Sequence, residues 1–185
     1  MDDDLRWETV DSTIDYTCPG FDVRRDDVAL PDGTETDYHY VDEPAAVVVL
    51  PFTPEGEVVL IEEWRQAVGR VNRGLPAGSV EPDDASLDAA ARRELAEETG
   101  YDAGSVTHLF TAEPTNGIAN TVHHHFVAHD CAPTGTQELD FNESIRVTTA
   151  EYDDVLAAVL DDDIRDGRTV GAVTGYELRT DEQER

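Results

Sequence analysis

Two continuous apolar runs near the middle of the chain predict buried strands. Residues 45–50 read Ala-Ala-Val-Val-Val-Leu, and residues 58–61 read Val-Val-Leu-Ile after a turn sequence that contains Pro54 and Gly56. Uninterrupted apolar runs of this length, bounded by turn residues, are typical of core strands. Three further strands are predicted, at residues 106–110, 122–128 and 145–147.

The first part of the chain has a different pattern, in which short strand-like segments surround a turn. Phe21-Asp22-Val23 and Thr36-Asp37-Tyr38-His39-Tyr40 lie on either side of Pro31-Asp32-Gly33. Because Pro and Gly both favour turn conformations, this tripeptide predicts a tight turn between antiparallel strands. We therefore expect residues 1–43 to form a small β-subdomain and residues 44–185 to form a larger domain.

The segment from Ala85 to Thr99 predicts a helix. It contains no Gly or Pro and is rich in Ala, Leu, Glu and Arg, which are strong helix formers. Gly100 is a stop signal, and the candidate N-caps are Asp83, Asp84 and Ser86. A second helix is predicted at residues 151–160. Strands mixed with two helices indicate an α+β or α/β layered domain.

The composition adds a strong acidic bias. The 185 residues include 42 Asp and Glu against 13 cations, all of them Arg, which gives a formal net charge of −29. An acidic surface without Lys resembles that of proteins from salt-accumulating halophiles, where molar salt shortens the Debye length to roughly 3 Å. Such a surface repels nucleic acid and anionic membranes, so we expect neither as a partner.

The cysteines and the first residues bear on the cellular compartment. Cys18 and Cys131 are far apart and fit no metal or redox spacing. The start, Met-Asp-Asp-Asp, has neither a basic region nor an apolar run. These features predict a reduced, cytoplasmic protein without a membrane span.

Three glutamates on the first predicted helix indicate a metal site. Glu94, Glu97 and Glu98 stand at i, i+3 and i+4, so their side chains share one helix face. Clustered like charges destabilise a helix unless they are neutralised, and carboxylate oxygens are suitable ligands for Mg²⁺ or Mn²⁺. The alternative is an ordinary acidic surface, which is common in so acidic a chain.

The residues around this cluster resemble a known family motif. Leu75-Pro76-Ala77-Gly78 is a turn-rich loop upstream of Arg93-Glu94-Leu95-Ala96-Glu97-Glu98-Thr99-Gly100-Tyr101. Together, residues 78–101 resemble the Nudix box, which is a loop, a helix and a second loop. Further segments resemble the ADP-ribose pyrophosphatase branch of that family, namely Pro76-Ala77-Gly78, Glu63-Trp64-Arg65-Gln66, the N-terminal hairpin and Asn142-Glu143-Ser144-Ile145. The resemblance covers nearly the whole chain.

The resemblance implies an α+β Nudix fold, an α/β/α sandwich with a mixed central sheet, together with a small N-terminal antiparallel β-subdomain that forms a homodimer. It implies Mg²⁺ as the cofactor, with Mn²⁺ as the alternative. The metal ligands implied are Glu94, Glu98, the carbonyl group of Ala77 and, directly or through a hydrogen bond, Glu97. Arg93 is expected to orient the glutamates.

The resemblance also implies a catalytic mechanism. Arg65 is expected to bind the diphosphate of the substrate, since a guanidinium binds phosphate oxygens bidentately. Bound metal ions lower the pKa of a coordinated water, which attacks one phosphorus. The base that accepts the proton of this water is Glu97, Glu98 or Glu143, of which we favour Glu143. The alternative for Glu143 is an acidic loop residue without a catalytic function.

A small nucleoside diphosphate is the expected substrate. The resemblance favours ADP-ribose, with AMP and ribose 5-phosphate as products. Trp7 and Tyr38 lie in the N-terminal subdomain, where enzymes of this branch stack the purine at a dimer interface; simple packing is the alternative for each ring. The alternative functions are a Nudix hydrolase of a nucleotide sugar or dinucleotide and, in a different class, a catalytically silent nucleotide-binding module.

Two positions depart from the family pattern, and one motif lies outside it. Asp84 stands where the box usually has a glutamate, but the chain carries one extra residue before Arg93, which we expect in the loop rather than in the helix. Gly74 replaces a glutamate that usually precedes Leu-Pro-Ala-Gly. His123-His124-His125 would alternate between the two faces of a strand, so these residues are not expected to form one compact metal site.

Overall fold

The computed structural model describes residues 5–183, with side chains described up to residue 180. These residues form two compact units. The first unit contains the chain up to Pro44 together with Glu113–Val122, and the second contains Ala45–Ala112 and the chain from His123 onward. The inclusion of Glu113–Val122 in the first unit was not predicted from the sequence.

The first unit is built on a three-stranded antiparallel sheet in the order β1 (Glu8–Thr17), β2 (Asp22–Ala29) and β3 (Glu35–Asp42). The predicted hairpin is confirmed, because β2 and β3 flank the Pro31-Asp32-Gly33 turn. Gly33 has a φ of 85°, and the Asp32 carboxylate accepts the Thr34 N–H at 2.9 Å. Strand β1 was missed because most of its residues are polar.

The segment Glu113–Val122 is joined to β3 by hydrogen bonds within this unit. The Tyr38 hydroxyl donates to the Gly117 carbonyl at 2.8 Å, and the Asn120 amide donates to Asp42 at 2.6 Å. Arg24 also donates to Asp42, at 2.9 and 2.7 Å. The hydrogen bonds from Asn120 and Arg24 hold the pKa of Asp42 below its ordinary value.

The second unit contains nine strands and three helices in the described part of the chain. In chain order its elements are β4 (Ala46–Pro51), β5 (Glu57–Arg65), β6 (Arg70–Gly74), β7 (Ala77–Ser79), α1 (Leu87–Thr99), β8 (Tyr101–Asp102), β9 (Ser105–Ala112), β10 (His123–His129), β11 (Ala132–Pro133), β12 (Ile145–Glu151), α2 (Tyr152–Leu160) and α3 (Gly167–Gln183). One sheet has the order β7-β4-β10-β9, with β4 and β10 parallel and the other pairs antiparallel. A second, antiparallel sheet has the order β12-β5-β6, and β8 pairs with β11.

Strand β4 is buried on both faces, which explains its continuous apolar sequence. Val47 and Val49 pack in one cluster with residues of α1, namely Ala90, Ala91 and Leu95. Val48 and Leu50 pack in a second cluster with residues of β5 and α3, among them Leu60, Ala172 and Val173. Helices therefore cover both faces of a mixed sheet, and the predicted α+β fold class is confirmed.

Helix α3 corrects the prediction of two helices. Its sequence contains Gly171 and Gly175, and each interior Gly disfavours a helix by roughly 1 kcal/mol relative to Ala. A Cβ atom on Gly175 would lie 2.6 Å from a ring carbon of Phe110, so the absence of a side chain there allows α3 to approach β9 closely. None of the described helices is both long and apolar enough to cross a membrane.

Candidate active site

The loop before α1 is tied to Glu98. Strand β6 ends at Gly74, and after Leu75 and Pro76 the chain enters β7 at Ala77. The Ala77 N–H donates to Oε2 of Glu98 at 2.8 Å. Glu98 is 3% exposed, so its carboxylate is buried.

Glu94 lies one helical turn earlier and meets the same loop at Gly78. A Cβ atom on Gly78 would lie 2.2 Å from Oε2 of Glu94, so any larger residue would displace this carboxylate. Gly78 is paired with Val47 of β4, which fixes the position of the loop. The buried carboxylates of Glu94 and Glu98, one turn apart on α1, therefore lie against the neighbouring loop residues Gly78 and Ala77.

Arg93 connects the loop to the helix. Its Nε and Nη2 groups donate to the two oxygens of Asp84 at 3.0 and 2.8 Å, and Nη2 also donates to the Ser79 carbonyl at 2.9 Å. Its Nη1 group donates to Glu94 at 2.8 Å and to Glu97 at 2.9 Å. These bonds hold the Asp84 carboxyl at a pKa below its ordinary value, and they fix the side chains of Glu94 and Glu97.

The residue that is extra relative to the family spacing does not interrupt the helix. Helix α1 is continuous from Leu87 to Thr99, and Ser86 is its N-cap, with Oγ accepting the Ala89 N–H at 3.1 Å. Asp84 lies before the cap and accepts the Glu81 N–H at 2.8 Å. The spacing of the three glutamates is that of a regular helix.

Burial makes the ionised forms of two of the glutamates unfavourable. Burial raises the pKa of Glu94 to about 7, although hydrogen bonds from Arg93 act in the opposite direction. Burial raises the pKa of Glu98 to about 8, although the hydrogen bond from Ala77 acts in the opposite direction. The charge of Glu143 adds to both increases, so Glu143 lies within electrostatic range of this pair. A cation placed among these carboxylates would stabilise their ionised forms.

The donor chemistry of this cluster fits a divalent cation. Carboxylate and carbonyl oxygens are the ligands that Mg²⁺ and Mn²⁺ prefer, and Gly78 leaves room for the Glu94 carboxylate beside the backbone. In the described part of the chain, no group of three or more His, Cys, Asp or Glu is arranged to hold a metal ion by itself. Glu94 and Glu97 share Arg93 instead, so a bound ion would compete with this arginine for them.

Glu143 lies in the loop before β12, as the sequence indicated. The residue is partly buried, and its Oε2 atom accepts the Asp140 N–H at 2.9 Å. The charge of Glu143 also raises the pKa of Glu63, as it does those of Glu94 and Glu98. Glu143 is therefore close enough to Glu63, Glu94 and Glu98 for its charge to act on all three.

Arg65 is paired with a buried acid that the sequence reasoning missed. Glu63 is 7% exposed, and its Oε2 atom lies 2.7 Å from Nη2 of Arg65. This contact lacks hydrogen-bond geometry, so Oε2 is buried without a hydrogen-bond partner in the described chain. Burial raises the pKa of Glu63. Strand alternation could have identified this pairing, because residues two apart on β5 face the same side.

Trp7 and Tyr38 belong to the first unit, whereas the other predicted site residues belong to the second. The Trp7 ring packs edge-on against the Tyr38 ring with the centroids 5.9 Å apart, and the two residues remain 43% and 39% exposed. Tyr38 lines a pocket of this unit together with Tyr40, Asn116 and Asn120. The two asparagines were not identified from the sequence, because the loop that carries them had no assigned partner.

The histidine run alternates as expected. His125 is buried and stacks on Phe110 with ring centroids 4.2 Å apart, whereas Nδ1 of His124 lies 3.0 Å from the Thr111 hydroxyl. Burial lowers the pKa of His125 to about 4. These contacts give His125 and His124 packing and hydrogen-bonding roles on opposite faces of β10.

A family model described as the NUDIX domain matches residues 42–169. The chain therefore belongs to the Nudix family, and it is a Nudix pyrophosphohydrolase.

Similar proteins agree with this assignment. The chain is 31% identical over 159 residues to an ADP-ribose pyrophosphatase of Bacillus subtilis strain 168, with 85% of each chain covered. It is 30% identical over 155 residues to a methanol dehydrogenase activator of Bacillus methanolicus, with 83% of each covered. A solved structure described as an ADP compounds hydrolase matches with a TM-score of 0.83 at 22% identity, covering 97% of both chains, which shows the shared fold.

Proposed function

We propose that the protein hydrolyses ADP-ribose to AMP and ribose 5-phosphate. The observation that carries the proposal is the contact of buried Glu94 and Glu98 with the Ala77-Gly78 loop, because the oxygen atoms of this cluster would suit a divalent cation. The similarity to an ADP-ribose pyrophosphatase over 85% of the chain supports the choice of substrate. The substrate class that follows from the family is a small-molecule nucleoside diphosphate.

A divalent metal ion is the cofactor that the family generally uses. We assign Mg²⁺ as this ion, with Mn²⁺ as the alternative, and Glu94, Glu98 and the Ala77 carbonyl as its ligands. Glu97 contributes as a ligand or through a hydrogen bond. When bound, the ion supplies Lewis acidity, which polarises phosphoryl oxygens and lowers the pKa of a coordinated water.

The protein residues bind the substrate and move the proton. Arg93 positions Glu94 and Glu97 through the bonds described above. Arg65 binds oxygens of the diphosphate with its guanidinium group. Glu143 accepts a proton from the attacking water, whose oxygen bonds to one phosphorus while the bridging P–O bond breaks and the second phosphate leaves.

The first unit supplies the purine site and the dimer contact in this proposal. Trp7 and Tyr38 stack the purine, and the polar groups of Asn116 and Asn120 lie in the same pocket as Tyr38. Strand β1 exposes Val10, which is 66% exposed, and two further apolar residues, Ile14 and Tyr16. Exposed apolar residues on one strand favour association with a second copy. We also propose a cytoplasmic location and adaptation to high salt.

A substrate panel tests the proposal. The protein is incubated with Mg²⁺ or Mn²⁺ in high salt and offered ADP-ribose, a nucleotide sugar or a dinucleotide, and products are separated by chromatography. We expect AMP and ribose 5-phosphate from ADP-ribose at the highest rate. A higher rate on another diphosphate would assign that substrate instead, and a folded protein that hydrolyses none would favour a nucleotide-binding module.

The role of Glu143 is tested by a matched pair of variants in the same loop. Glu143→Gln removes the base and should lower kcat by roughly 10²- to 10⁴-fold. Glu138→Gln makes the same charge change at an exposed residue and should leave kcat within about twofold. Unchanged turnover in Glu143→Gln would transfer the role of base to another glutamate.

A further inference from the structure

The space beside Gly74 is filled by residues at the start of α3. A Cβ atom on Gly74 would lie 2.8 Å from Oγ1 of Thr169 and 3.3 Å from Oδ2 of Asp166. Thr169 is fully buried, and its hydroxyl donates to Asp166 at 2.8 Å while accepting the Leu75 N–H at 3.0 Å. The acidic side chain of Asp166, the residue before α3, therefore lies next to position 74, where the sequence lacks the glutamate expected from related enzymes.

Asp166 accepts a hydrogen bond from the guanidinium group of Arg168. Nε of Arg168 donates to Oδ1 of Asp166 at 3.3 Å. Nη1 and Nη2 of Arg168 make no hydrogen bond or ion pair within residues 5–180, and 24% of the side chain is exposed. Burial acts to raise the pKa of Asp166, but the charge of Arg168 and the bonds from Thr169 outweigh it and hold the pKa below its ordinary value. Asp166 is therefore a charged partner that fixes one edge of the guanidinium and leaves the other edge available.

Arg168 shares a small pocket with Arg65. Asp166 and Glu63 line the same pocket, and each lies beside one of the two arginines. Gly74 and Leu75 form another wall, and they lead directly into the loop that holds Glu98. Two arginines therefore line a pocket at the beginning of the loop that is bonded to Glu98.

We propose that Arg168 is a second arginine that binds the diphosphate, acting together with Arg65, and that Asp166 is its positioning residue. The cleft that Arg65 and Arg168 line is too narrow to enclose a diphosphate, but the two side chains are 35% and 24% exposed. A ligand with two adjacent phosphates would therefore lie across the mouth of the cleft, where each guanidinium fork can bind a separate pair of oxygens. The inference rests on the proposed function, in which this site cleaves a diphosphate. It adds a residue from α3, which lies outside the motif segments that identified the site.

The test compares Arg168→Gln with Arg146→Gln as a matched control. Arg146 lies on β12 of the β12-β5-β6 sheet, its side chain is 75% exposed, and it pairs with Glu62 outside the pocket. KM and kcat are measured with ADP-ribose and Mg²⁺. The Kd for ADP-ribose is measured by calorimetry in EDTA, where no turnover occurs, and adenosine serves as a ligand without phosphate.

We expect Arg168→Gln to raise KM and Kd by roughly 10- to 100-fold, which is the effect of losing hydrogen bonds to a charged group, with a smaller change in kcat. Adenosine binding should stay unchanged, and Arg146→Gln should remain within about twofold throughout. Asp166→Asn should raise KM in the same direction. Adding it to Arg168→Gln should cause little further loss, because both changes remove one interaction.

A structural role for Arg168 would give a different result. In that case Arg168→Gln would lower the melting temperature and leave KM and Kd within about twofold, which would overturn the proposal. If this variant does not fold, Arg168→Lys keeps the charge without the planar fork, and an unchanged Kd in that variant would also overturn it. A wild-type protein that hydrolyses no diphosphate would overturn the proposed function, while the Kd values in EDTA would still decide the role of Arg168.

Discussion

Arg93 is the residue on which the geometry of the glutamate cluster depends. One guanidinium satisfies Asp84 in the turn, the Ser79 carbonyl in the loop and two glutamates on the helix. Without Arg93, the carboxylates of Glu94 and Glu97 would repel each other, and the loop would be connected to α1 through the bond from Ala77 to Glu98 but no longer through Ser79 and Asp84. The planar fork can serve several acceptors at once, whereas an ammonium group cannot match the same directions.

Replacing Arg93 by Lys should therefore be costly although the charge is kept. We expect Arg93→Lys to lower the free energy of unfolding by about 1–3 kcal/mol, the range for leaving partly buried charged groups unpaired. Arg92→Lys is the matched control on the same helix, since Arg92 is exposed and donates to a single carbonyl, that of Ala103. Denaturant unfolding measures the free energy of unfolding of both variants. Equal losses would show that the hydrogen bonds of Arg93 stabilise the fold no more than the single bond of Arg92 does.

His125 gives a prediction for stability against pH. Burial lowers its pKa to about 4 in the folded protein, below the ordinary value of 6.5, so the unfolded chain takes up the proton first. The stability from a neutral His125 is therefore fully present above about pH 6.5 and is lost as the pH falls through about 4. The loss is on the order of 3–4 kcal/mol at most, since one pKa unit corresponds to about 1.4 kcal/mol.

The measurement compares the wild type with His125→Phe, which keeps an aromatic ring against Phe110. Free energies of unfolding are determined between pH 6.5 and 4 for both proteins. Titration of the many shared acidic residues cancels in the difference, which should change in favour of the variant as the pH falls. A constant difference over this range would show that His125 titrates alike in the folded and unfolded states.

At the scale of elements, the sequence patterns predicted the strands and helix ends that depend on neighbouring residues in the chain. The apolar runs of β4 and β5, the Ser86 cap candidate and the Gly100 stop all stand in the structure as predicted. The pairing of Glu63 with Arg65 follows from strand alternation, although it was not identified from the sequence. The approach of Asp166 to Gly74 could not be predicted, because it depends on a tertiary contact between distant segments. Helix α3 was missed for a related reason. Its interior glycines disfavour a helix when the sequence is considered alone, whereas in the folded protein Gly175 allows the helix to pack closely against β9.

The two interior glycines of α3, Gly171 and Gly175, should respond in opposite ways to the same substitution. A Cβ atom on Gly175 would lie 2.6 Å from the Phe110 ring, whereas one on Gly171 would lie 3.7 Å from His125 and Phe110, an ordinary contact. We expect Gly175→Ala to destabilise the protein by about 1–3 kcal/mol through overpacking. Gly171→Ala should stabilise it by about 0.5–1 kcal/mol, because Ala favours the helix. Thermal or denaturant unfolding measures the stability of each variant. A change of the same sign in both variants would contradict the predicted difference in packing at the two positions.

At the scale of the whole molecule, the acidic surface makes stability depend on salt. A formal net charge of −29 produces self-repulsion that is strong at low ionic strength, where the Debye length is about 30 Å at 0.01 M, and weak at 1 M, where it is about 3 Å. We expect the melting temperature to rise with KCl over this range. A melting temperature that is independent of salt would show that the acidic residues are spaced widely enough to avoid repulsion.

A surface variant separates charge repulsion from other effects of salt. Asp161, Asp162 and Asp163 are exposed and follow the C terminus of α2, where negative charge opposes the helix dipole. Replacing all three by Asn removes three charges, and Asn also tolerates the positive φ of 62° at Asp162. We expect the triple variant to be more stable than the wild type by about 1 kcal/mol at low salt. If repulsion is the cause, most of this gain disappears in 1 M KCl because the salt already screens the charges; a gain of equal size at both concentrations would instead assign it to the backbone preference of Asn.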